Sequence, residues 1–357
     1  MKKKILFFHP LNDFSGSTTA LRNMLEHDFS SDDKLDIVTD GENGALTTLG
    51  NVHLIQIWYP RLKTRKIFIV SFVFKIISFF VIALLKRKDY DLYYLNTITV
   101  YPVAIVGRIC KKEIYWHIHE KFTYSSSFYA ALERKIMLFV FNHTICTRIF
   151  VSNYIKDQYK RKEKCIEIIK PNLLSKNYIN NILPIPIIDR KRNTILMLSS
   201  LTKSKGLFVF VEIANRMPNF SFILVISSTQ EEINSFFNIR IPHNLQIYSR
   251  QDDVHPFMRR SDLLVNLTNP YLCIESFGMT IIEAMAYGIP AIVPNIGGPT
   301  EIVKNGYNGY CVDVTNVNLI CEVIIKILST QLYYKMAENC FIESKKYFGY
   351  GSISNYC

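Results

Sequence analysis

The chain has 357 residues, 49% of them apolar and 20% charged, so it is long enough for two domains that each bury a core. This composition excludes an intrinsically disordered protein. The formal charge of +12 predicts affinity for anionic groups, in a nucleotide, a lipid headgroup or nucleic acid, without choosing among them. Eight scattered cysteines include no CxxC pair and no Cys/His cluster, which argues against a zinc site or a disulfide framework. A reduced, cytoplasmic protein is the simpler interpretation.

The first half alternates strand-length and helix-length apolar segments. The opening run is too short for the apolar core of a secretory signal, so it is predicted to be the first strand. The predicted strands are 4–8, 35–39, 52–58, 91–96, 113–120, 148–153 and 165–172, and helices are predicted after the first strand, at 67–85 and around 101–110. Such alternation is typical of βαβ units and a parallel sheet.

Segment 67–85, IFIVSFVFKIISFFVIALL, is the longest apolar run, with Lys75 near its middle and basic residues at 65–66 and 86–88. A central lysine costs about 2.5 to 3.5 kcal/mol in a membrane-inserted helix, which argues against a spanning helix. A buried helix of an α/β domain and a helix lying on the membrane remain open. We favour a helix packed on the sheet whose basic rim touches an anionic membrane.

The pattern restarts after a predicted linker, 173–192, which contains two prolines and ends with the run DRKR. The predicted strands beyond it are 194–200, 220–228, 245–249 and 262–267, with a helix at 205–217. The sequence therefore predicts two doubly wound α/β domains with parallel sheets. Ligands of such domains lie at the carboxyl ends of the strands, so a site in the cleft between the domains is expected.

Two glutamates, Glu275 and Glu283, stand eight residues apart in the stretch IESFGMTIIEAMAYGIPAIVPNIGGPTEIV, 274–303. On one helix they would be turned about 80° from each other, so they would not share a face. We expect Glu275 in the loop after strand 262–267, a helix beginning near Gly278 to Thr280, and Glu283 in its first turn. Such a helix start presents free N–H groups to an anion. For Glu283, a capping box with Thr280 and a ligand contact both remain open.

The stretch from Glu275 to Glu283 and AMAYGIP, followed by GGPTE at 297–301 and NGYNG at 305–309, resembles the E-x7-E signature of the retaining GT-B glycosyltransferases of family 4, glycosyl transferases group 1. Weaker similarity covers SGS at 15–17, HIHE at 117–120, SSLTKSKG at 199–206 and RSDLLV at 260–265. The resemblance implies a GT-B fold of two Rossmann-like domains with an interdomain cleft. Residues 1–172 would meet the acceptor, residues 193–335 would hold a nucleotide sugar, and 336–357 would form a helical tail, with a return to the first domain left open.

The resemblance also implies roles for individual residues. Glu283 would accept hydrogen bonds from the ribose hydroxyls, while Glu275 would face the transferred sugar and Lys205 would neutralise the diphosphate leaving group. Gly16 would lie near the donor phosphate, and His119 would be the catalytic histidine, with His117 as the alternative. Sugar hydroxyls and phosphate would be bound by four backbone N–H groups, those of Phe277, Gly278, Met279 and Thr280.

Two features bear on the chemistry that the resemblance implies, which is transfer with retention of the anomeric configuration. The family's second cation, an arginine upstream of the lysine, corresponds to Ser200, and Arg250 is one candidate to replace it. Asp89-Tyr90-Asp91 has the spacing of a metal-binding DxD motif but precedes a predicted strand. We therefore predict no metal and no other cofactor, with a nucleoside-diphosphate sugar as the donor substrate.

The basic, aromatic-rich first half favours a glycan or polyprenyl-diphosphate-linked acceptor at the cytoplasmic face of the membrane, as in capsule or O-antigen assembly. Nucleic acid is not expected as a partner, because the basic residues are dispersed and no nucleic-acid-binding module is recognised. A non-catalytic GT-B partner subunit remains an alternative because of Ser200, and a GT-B sugar-nucleotide epimerase is a further one.

Overall fold

The structure is a computed structural model that describes residues 4–30, 32–41, 43–57, 65–120, 128–159, 164–183, 190–329 and 331–349. The chain forms two compact units. Lys176–Phe348 is the second unit, and the other described residues, Gly349 included, form the first. Each unit is an α/β structure with its own parallel sheet, which confirms the predicted fold class.

The first unit is built on a seven-stranded parallel sheet with the order β3-β2-β1-β4-β5-β6-β7. Its strands are β1 (Ile5–Phe8), β2 (Leu35–Thr39), β3 (Val52–Gln56), β4 (Leu92–Asn96), β5 (Glu113–Ile118), β6 (Thr147–Phe150) and β7 (Ile166–Ile169). Six of the seven lie within the predicted segments, and β6 begins one residue before the predicted segment 148–153. The chain order reverses between β1 and β4, and this is where the carboxyl ends of parallel strands leave room for a ligand.

Helices cover both faces of this sheet. They are α1 (Gly16–Asp28), α2 (Arg65–Leu85), α3 (Tyr101–Ile109), α4 (Phe128–His143) and α5 (Asn153–Asp157). Right-handed crossovers place α1 on one face and α2, α3 and α4 on the other. The side chains of β1 are consistent with this placement. Phe7 packs in one cluster with Leu21 of α1, whereas Phe8, on the opposite face, contacts the ring of Phe79 of α2. Helix α3 contacts both α2 and α4 and therefore lies between them.

The second unit has a six-stranded parallel sheet with the order β10-β9-β8-β11-β12-β13. Its strands are β8 (Thr194–Ser199), β9 (Ser221–Ile226), β10 (Leu245–Tyr248), β11 (Leu263–Val265), β12 (Ala291–Pro294) and β13 (Gly309–Val312). Its helices are α6 (Lys176–Asn180), α7 (Leu207–Arg216), α8 (Gln230–Phe236), α9 (His255–Arg260), α10 (Met279–Met285), α11 (Pro299–Ile302), α12 (Val317–Leu328) and α13 (Leu332–Ser344). One continuous apolar core joins β8, β9, α7 and α12.

The segment predicted as a linker divides between the units after Ser175. Its later part is tied to the second unit, because the Tyr178 hydroxyl donates to the Glu283 carbonyl at 3.1 Å and the buried Arg190 guanidinium donates to the Ser261 carbonyl at 3.2 Å. Helix α13 also belongs to the second unit and buries Tyr333 there. Prolines 184 and 186 and the last eight residues of the predicted tail, 350–357, lie outside the described residues.

The long apolar segment 67–85 lies within α2. Over the part of the chain that the structure describes, none of the helices taken singly has the length and apolar character needed to cross a membrane. One bent pair, Val317–Leu328 with Leu332–Tyr347, passes the length and composition test with a 91° break.

Candidate functional site

An ion pair brings together two residues that are 70 positions apart in the second unit. Lys205 ends a short 3-10 turn after β8, and Glu275 lies in the loop between β11 and α10. The Lys205 Nζ donates to Glu275 Oε2 at 2.6 Å, and the two side chains remain 26% and 23% exposed. The hydroxyl of Thr268 lies 3.5 Å from Nζ and 3.4 Å from the same carboxylate oxygen. A cation, a carboxylate and a hydroxyl therefore meet at the carboxyl ends of β8 and β11.

The loop that carries Glu275 is held by the Gly297-Gly298 pair. The N–H of Gly298 donates to the Glu275 carbonyl at 2.9 Å, and a Cβ on Gly298 would lie 2.1 Å from the Ser276 carbonyl oxygen. Only glycine permits so close an approach of two backbone segments. The ring of Phe277 is buried and meets Tyr347 edge to face with centroids 5.9 Å apart. The backbone before α10 is therefore fixed from two sides.

Helix α10 begins at Met279, with Gly278 in a left-handed conformation at φ 117°. The predicted helix start is confirmed, and a residue with φ in this region is most readily glycine. Four successive backbone N–H groups have no hydrogen-bond partner among the described residues, those of Phe277, Gly278, Met279 and Thr280. These are the groups that the family resemblance assigns to donor binding.

Glu283 is the fifth residue of α10, so it lies at the start of the second helical turn and not in the first as predicted. The capping box with Thr280 is not formed, because Gly278 is the N-cap and Thr280 is already inside the helix. Burial of the Glu283 carboxyl raises its pKa to about 7. Among the described residues no hydrogen bond to this carboxyl is formed, which leaves its two oxygens available to a ligand.

In the first unit, a chain of hydrogen bonds joins the carboxyl ends of β1, β4 and β5 to the start of α1. The Nε2 of His119 donates to Asn96 Oδ1 at 2.8 Å, and Asn96 Nδ2 donates to His9 Nδ1 at 2.9 Å. The other nitrogen of His9 lies 2.9 Å from Thr18 Oγ1, which donates to Asp13 Oδ1 at 2.6 Å. The amide orientation of Asn96 thus places the proton of His119 on Nε2 and a lone pair on Nδ1.

Two further predicted residues of the first unit lie beside this network. Gly16 is the first residue of α1, and a Cβ there would meet no atom within 4 Å, so the space in front of it is open. His117 is buried against His119 with ring centroids 4.1 Å apart, and its Nδ1 lies 2.9 Å from the Tyr94 hydroxyl. His119 is thus a member of the hydrogen-bond network, whereas His117 packs against the ring of His119.

Burial sets the protonation of the groups around His119. Burial, with a smaller contribution from the neighbouring His9, lowers the pKa of His119 to about 3. The pKa of His117 is also well below its usual value, mainly because of burial. Both rings are therefore neutral near pH 7. Burial raises the pKa of Glu120 to about 7, although its carboxylate accepts a hydrogen bond from the N–H of Ile98 at 3.1 Å.

Sequence reasoning missed Thr268, Asn96 and His9. The last two carry a recognisable signal, because each stands at or directly after the carboxyl end of a predicted strand. Thr268 carries the same signal, because it directly follows the predicted strand 262–267, but nothing in the sequence relates it to Lys205. No three His, Cys, Asp or Glu side chains in the described ranges lie close enough to hold a metal ion. That no metal is required stays a prediction.

Ser200, the position that corresponds to the family's arginine, lies at the carboxyl edge of the second sheet. Ser200 directly follows β8, and Arg250 follows β10, with β9 between these two strands in the sheet. The N–H of Arg250 donates to the Ser228 carbonyl at 2.9 Å, which holds its backbone at the same carboxyl edge of the sheet. Arg250 as the second cation stays a prediction.

Two α/β units, each with a parallel sheet whose carboxyl edge carries the polar residues, define the class of fold found in GT-B glycosyltransferases. Residues 179–346 match the family described as glycosyl transferases group 1. This region lies within the second unit and includes Lys205, Glu275 and Glu283.

Among curated proteins, an uncharacterized glycosyltransferase of Methanocaldococcus jannaschii is 29% identical over 203 residues, which are 56% of this chain and 54% of the relative. The UDP-Gal:alpha-D-GlcNAc-diphosphoundecaprenol alpha-1,3-galactosyltransferase of Escherichia coli is 26% identical over 167 residues, 43% of this chain and 42% of the relative. The chain thus spans about half the length, or less, of these relatives.

Among solved structures, HepE of Anabaena in complex with UDP and glucose is similar with a TM-score of 0.74 at 17% identity, covering 99% of this chain and 97% of that one. WaaG, a glycosyltransferase involved in lipopolysaccharide biosynthesis, has a TM-score of 0.71 at 14% identity, with 99% and 98% covered. At these identities the comparison establishes a common fold.

Proposed function

We propose that this protein is a retaining glycosyltransferase of family 4 that moves a sugar from a nucleoside-diphosphate sugar to a glycan or lipid-linked acceptor. The match of residues 179–346 to the group 1 family supports the donor class. The relative from E. coli, whose name gives a UDP-sugar donor and a diphosphoundecaprenol-linked acceptor, supports the kind of reaction. The pathway would be the synthesis of a cell-surface polysaccharide such as a capsule or an O-antigen.

The ion pair of Lys205 with Glu275 is the observation that carries this proposal. A donor diphosphate would take a hydrogen bond from the ammonium group of Lys205, while Glu275 would face the sugar. Breakage of the bond from the anomeric carbon to phosphate places negative charge next to that ammonium group, which stabilises it. The acceptor oxygen would bond to the anomeric carbon from the same face and pass its proton to the departing phosphate oxygen. Positive charge that develops on the sugar would be stabilised by the Glu275 carboxylate.

His119 would bind and orient a hydroxyl group in this reaction and would not remove its proton. A group with a pKa of about 3 is a weak base at neutral pH, and its Nδ1 lone pair can still accept a hydrogen bond. Glu283 would hold the ribose as an ionised carboxylate. The reaction would need no metal, because Lys205 and the free N–H groups before α10 supply the positive charge for the diphosphate.

Calorimetric titration with UDP, GDP, ADP and dTDP in the presence of EDTA tests the donor site. We expect one of these nucleotides to bind without metal, and binding to weaken at least tenfold in Lys205→Ala, which removes a charge-assisted hydrogen bond. Lys203→Ala is the matched control, because Lys203 is an exposed lysine of the same 3-10 turn. Equal losses of nucleotide affinity in both variants would mean that Lys205 adds only to the overall positive charge and forms no specific contact with the diphosphate.

A non-catalytic partner subunit is the second candidate, and it is favoured by Ser200 at the position of the family's arginine. In that case the chain would keep the fold but lack one of the two cations that the family uses to bind the diphosphate. Failure of all four nucleotides to bind the folded protein would favour this alternative. Transfer or hydrolysis of a nucleotide sugar that is lost in Glu275→Ala would exclude it.

A further inference from the structure

The outer surface of α2 carries a stripe of exposed apolar side chains. Its members are Val73, Phe74, Ile77, Val81, Leu84 and Leu85, which are between 36% and 70% exposed. At about 100° per residue they fall within one third of the helix circumference. Phe79 and Ala83, on the opposite side of the helix, are buried against the unit. The stripe therefore does not serve the core of the first unit.

A second stripe lies on α4, on the same face of the sheet. Leu132, Ile136 and Phe139 are between 43% and 63% exposed, and their spacing of four and three residues aligns them along the helix. The ring of Phe139 stacks on His143, whose carbonyl accepts a hydrogen bond from Arg108 of α3 at 3.0 Å. Because α3 lies between α2 and α4, the two stripes lie on either side of α3 in one layer of helices. Surfaces of this kind on a single chain indicate a binding partner.

Positive charge predominates at the carboxyl ends of α2 and α3, although the exposed residues Asp89 and Glu113 stand next to them in the chain. Segment 65–88 contains six basic residues and no acidic one, and segment 101–112 contains three basic residues and no acidic one. Arg87, Lys88, Arg108 and Lys111 are exposed at the ends of α2 and α3. The Lys112 ammonium group donates to the Tyr90 carbonyl at 2.6 Å, which joins the two ends. The apolar stripes of α2 and α4, together with Arg87, Lys88, Arg108 and Lys111, are named the α2–α4 face.

We propose that the α2–α4 face is a docking surface for a lipid bilayer that contains anionic phospholipid. Apolar side chains flanked by Lys and Arg are suited to the boundary between headgroups and acyl chains. A second copy of this chain fits less well, because a two-fold contact with its axis along the helices would bring the two basic ends of the face together. Docking at this face is independent of whether the donor site of the second unit is active.

Sedimentation of the full-length protein with vesicles tests this proposal. We expect binding to vesicles of equimolar phosphatidylglycerol and phosphatidylcholine, weaker binding at high ionic strength, and little binding to pure phosphatidylcholine. The variant Ile136→Ser/Phe139→Ser should bind at least about tenfold more weakly, since it removes two side chains that enter the bilayer. The variant Arg87→Glu/Lys88→Glu should lose the dependence on anionic lipid.

Matched controls come from the second unit. Ile325 and Ile342 are 48% and 50% exposed, so Ile325→Ser/Ile342→Ser changes the same side-chain class elsewhere and should bind vesicles like the unaltered protein. Lys203→Glu/Lys335→Glu is the corresponding charge control. Circular dichroism and urea unfolding like those of the unaltered protein would show that the face variants are folded, and unaltered nucleotide affinity would separate docking from donor binding.

Three results would overturn the proposal. The first is absence of vesicle binding at low salt, and the second is equal loss of binding in the face variants and their controls. The third is light scattering that shows a dimer converted to a monomer by Ile136→Ser/Phe139→Ser, because the face would then be covered by a second copy. Selective loss of vesicle binding by a monomeric variant would support docking.

Discussion

At the scale of single residues, the two glutamates of the site differ in their surroundings. Glu275 is paired with Lys205, whereas Glu283 has a buried carboxyl without an ionic partner among the described residues and a pKa raised to about 7 by burial. In the free protein Glu283 therefore holds a proton below about pH 7, while two ribose hydroxyls need the ionised form as acceptor. We expect nucleotide affinity to fall as the pH is lowered from 8 to 6, approaching a tenfold loss per unit below the pKa.

Calorimetry at several pH values in buffers of different ionisation enthalpy checks this expectation, because binding should release close to one proton at pH 6 and few at pH 8. In Glu283→Gln the dependence should vanish and the affinity should be low at both pH values. Glu120→Gln is the control, since burial raises the pKa of Glu120 to about 7 as well, in the first unit. If the pH dependence disappeared in Glu120→Gln and persisted in Glu283→Gln, the titrating group would be Glu120, which would contradict our proposal.

At the scale of elements, the close contact of Gly298 with the loop before α10 predicts a specific sensitivity. An alanine Cβ would lie 2.1 Å from the Ser276 carbonyl oxygen and 2.7 Å from the Phe277 Cα, so the backbone must shift. We expect Gly298→Ala to lower the free energy of unfolding by about 1 to 3 kcal/mol and to weaken nucleotide binding. Urea unfolding and calorimetry measure the two effects.

The control for this substitution is Gly50→Ala, because a Cβ at Gly50 meets no atom within 4 Å. That variant should keep both the stability and the nucleotide affinity of the unaltered chain. If Gly298→Ala behaved like Gly50→Ala, the contact between the two backbone segments would not hold the loop that carries Glu275.

Element positions could be predicted from the sequence where local patterns determine them. Strand 35–39 was predicted with the bounds of β2, because LDIVT is a short apolar run of strand-forming residues. Of the two alternatives left open for Glu283, the capping box is not formed, since the left-handed Gly278 places the N-cap two residues before Thr280. The contact of Lys205 with Glu275 and the network from Asp13 to His119 could not be derived from local patterns. They depend on which strands become neighbours, and this follows from the order of crossovers in each sheet.

At the scale of the whole molecule, the donor-site residues and the α2–α4 face belong to separately packed units, each with its own sheet. Sites that share no contacts usually contribute independently to the free energy. We therefore expect two ligands to protect different backbone amides from hydrogen exchange. A nucleotide at 100 times its Kd should slow exchange by up to about a hundredfold at Phe277–Thr280, where the N–H groups are otherwise unpaired. It should leave α4 unchanged.

Anionic vesicles should have the opposite effect, slowing exchange along α2 and α4 and leaving Phe277–Thr280 as in the free protein, as measured by mass spectrometry of the full chain. The Lys205→Ala variant should lose only the first protection and Ile136→Ser/Phe139→Ser only the second. If vesicles also protected the amides before α10, or if one variant abolished both effects, membrane docking and donor binding would be coupled. The affinity of the protein for its donor would then depend on whether it is bound to a membrane. The binding free energies of the two sites would not be additive.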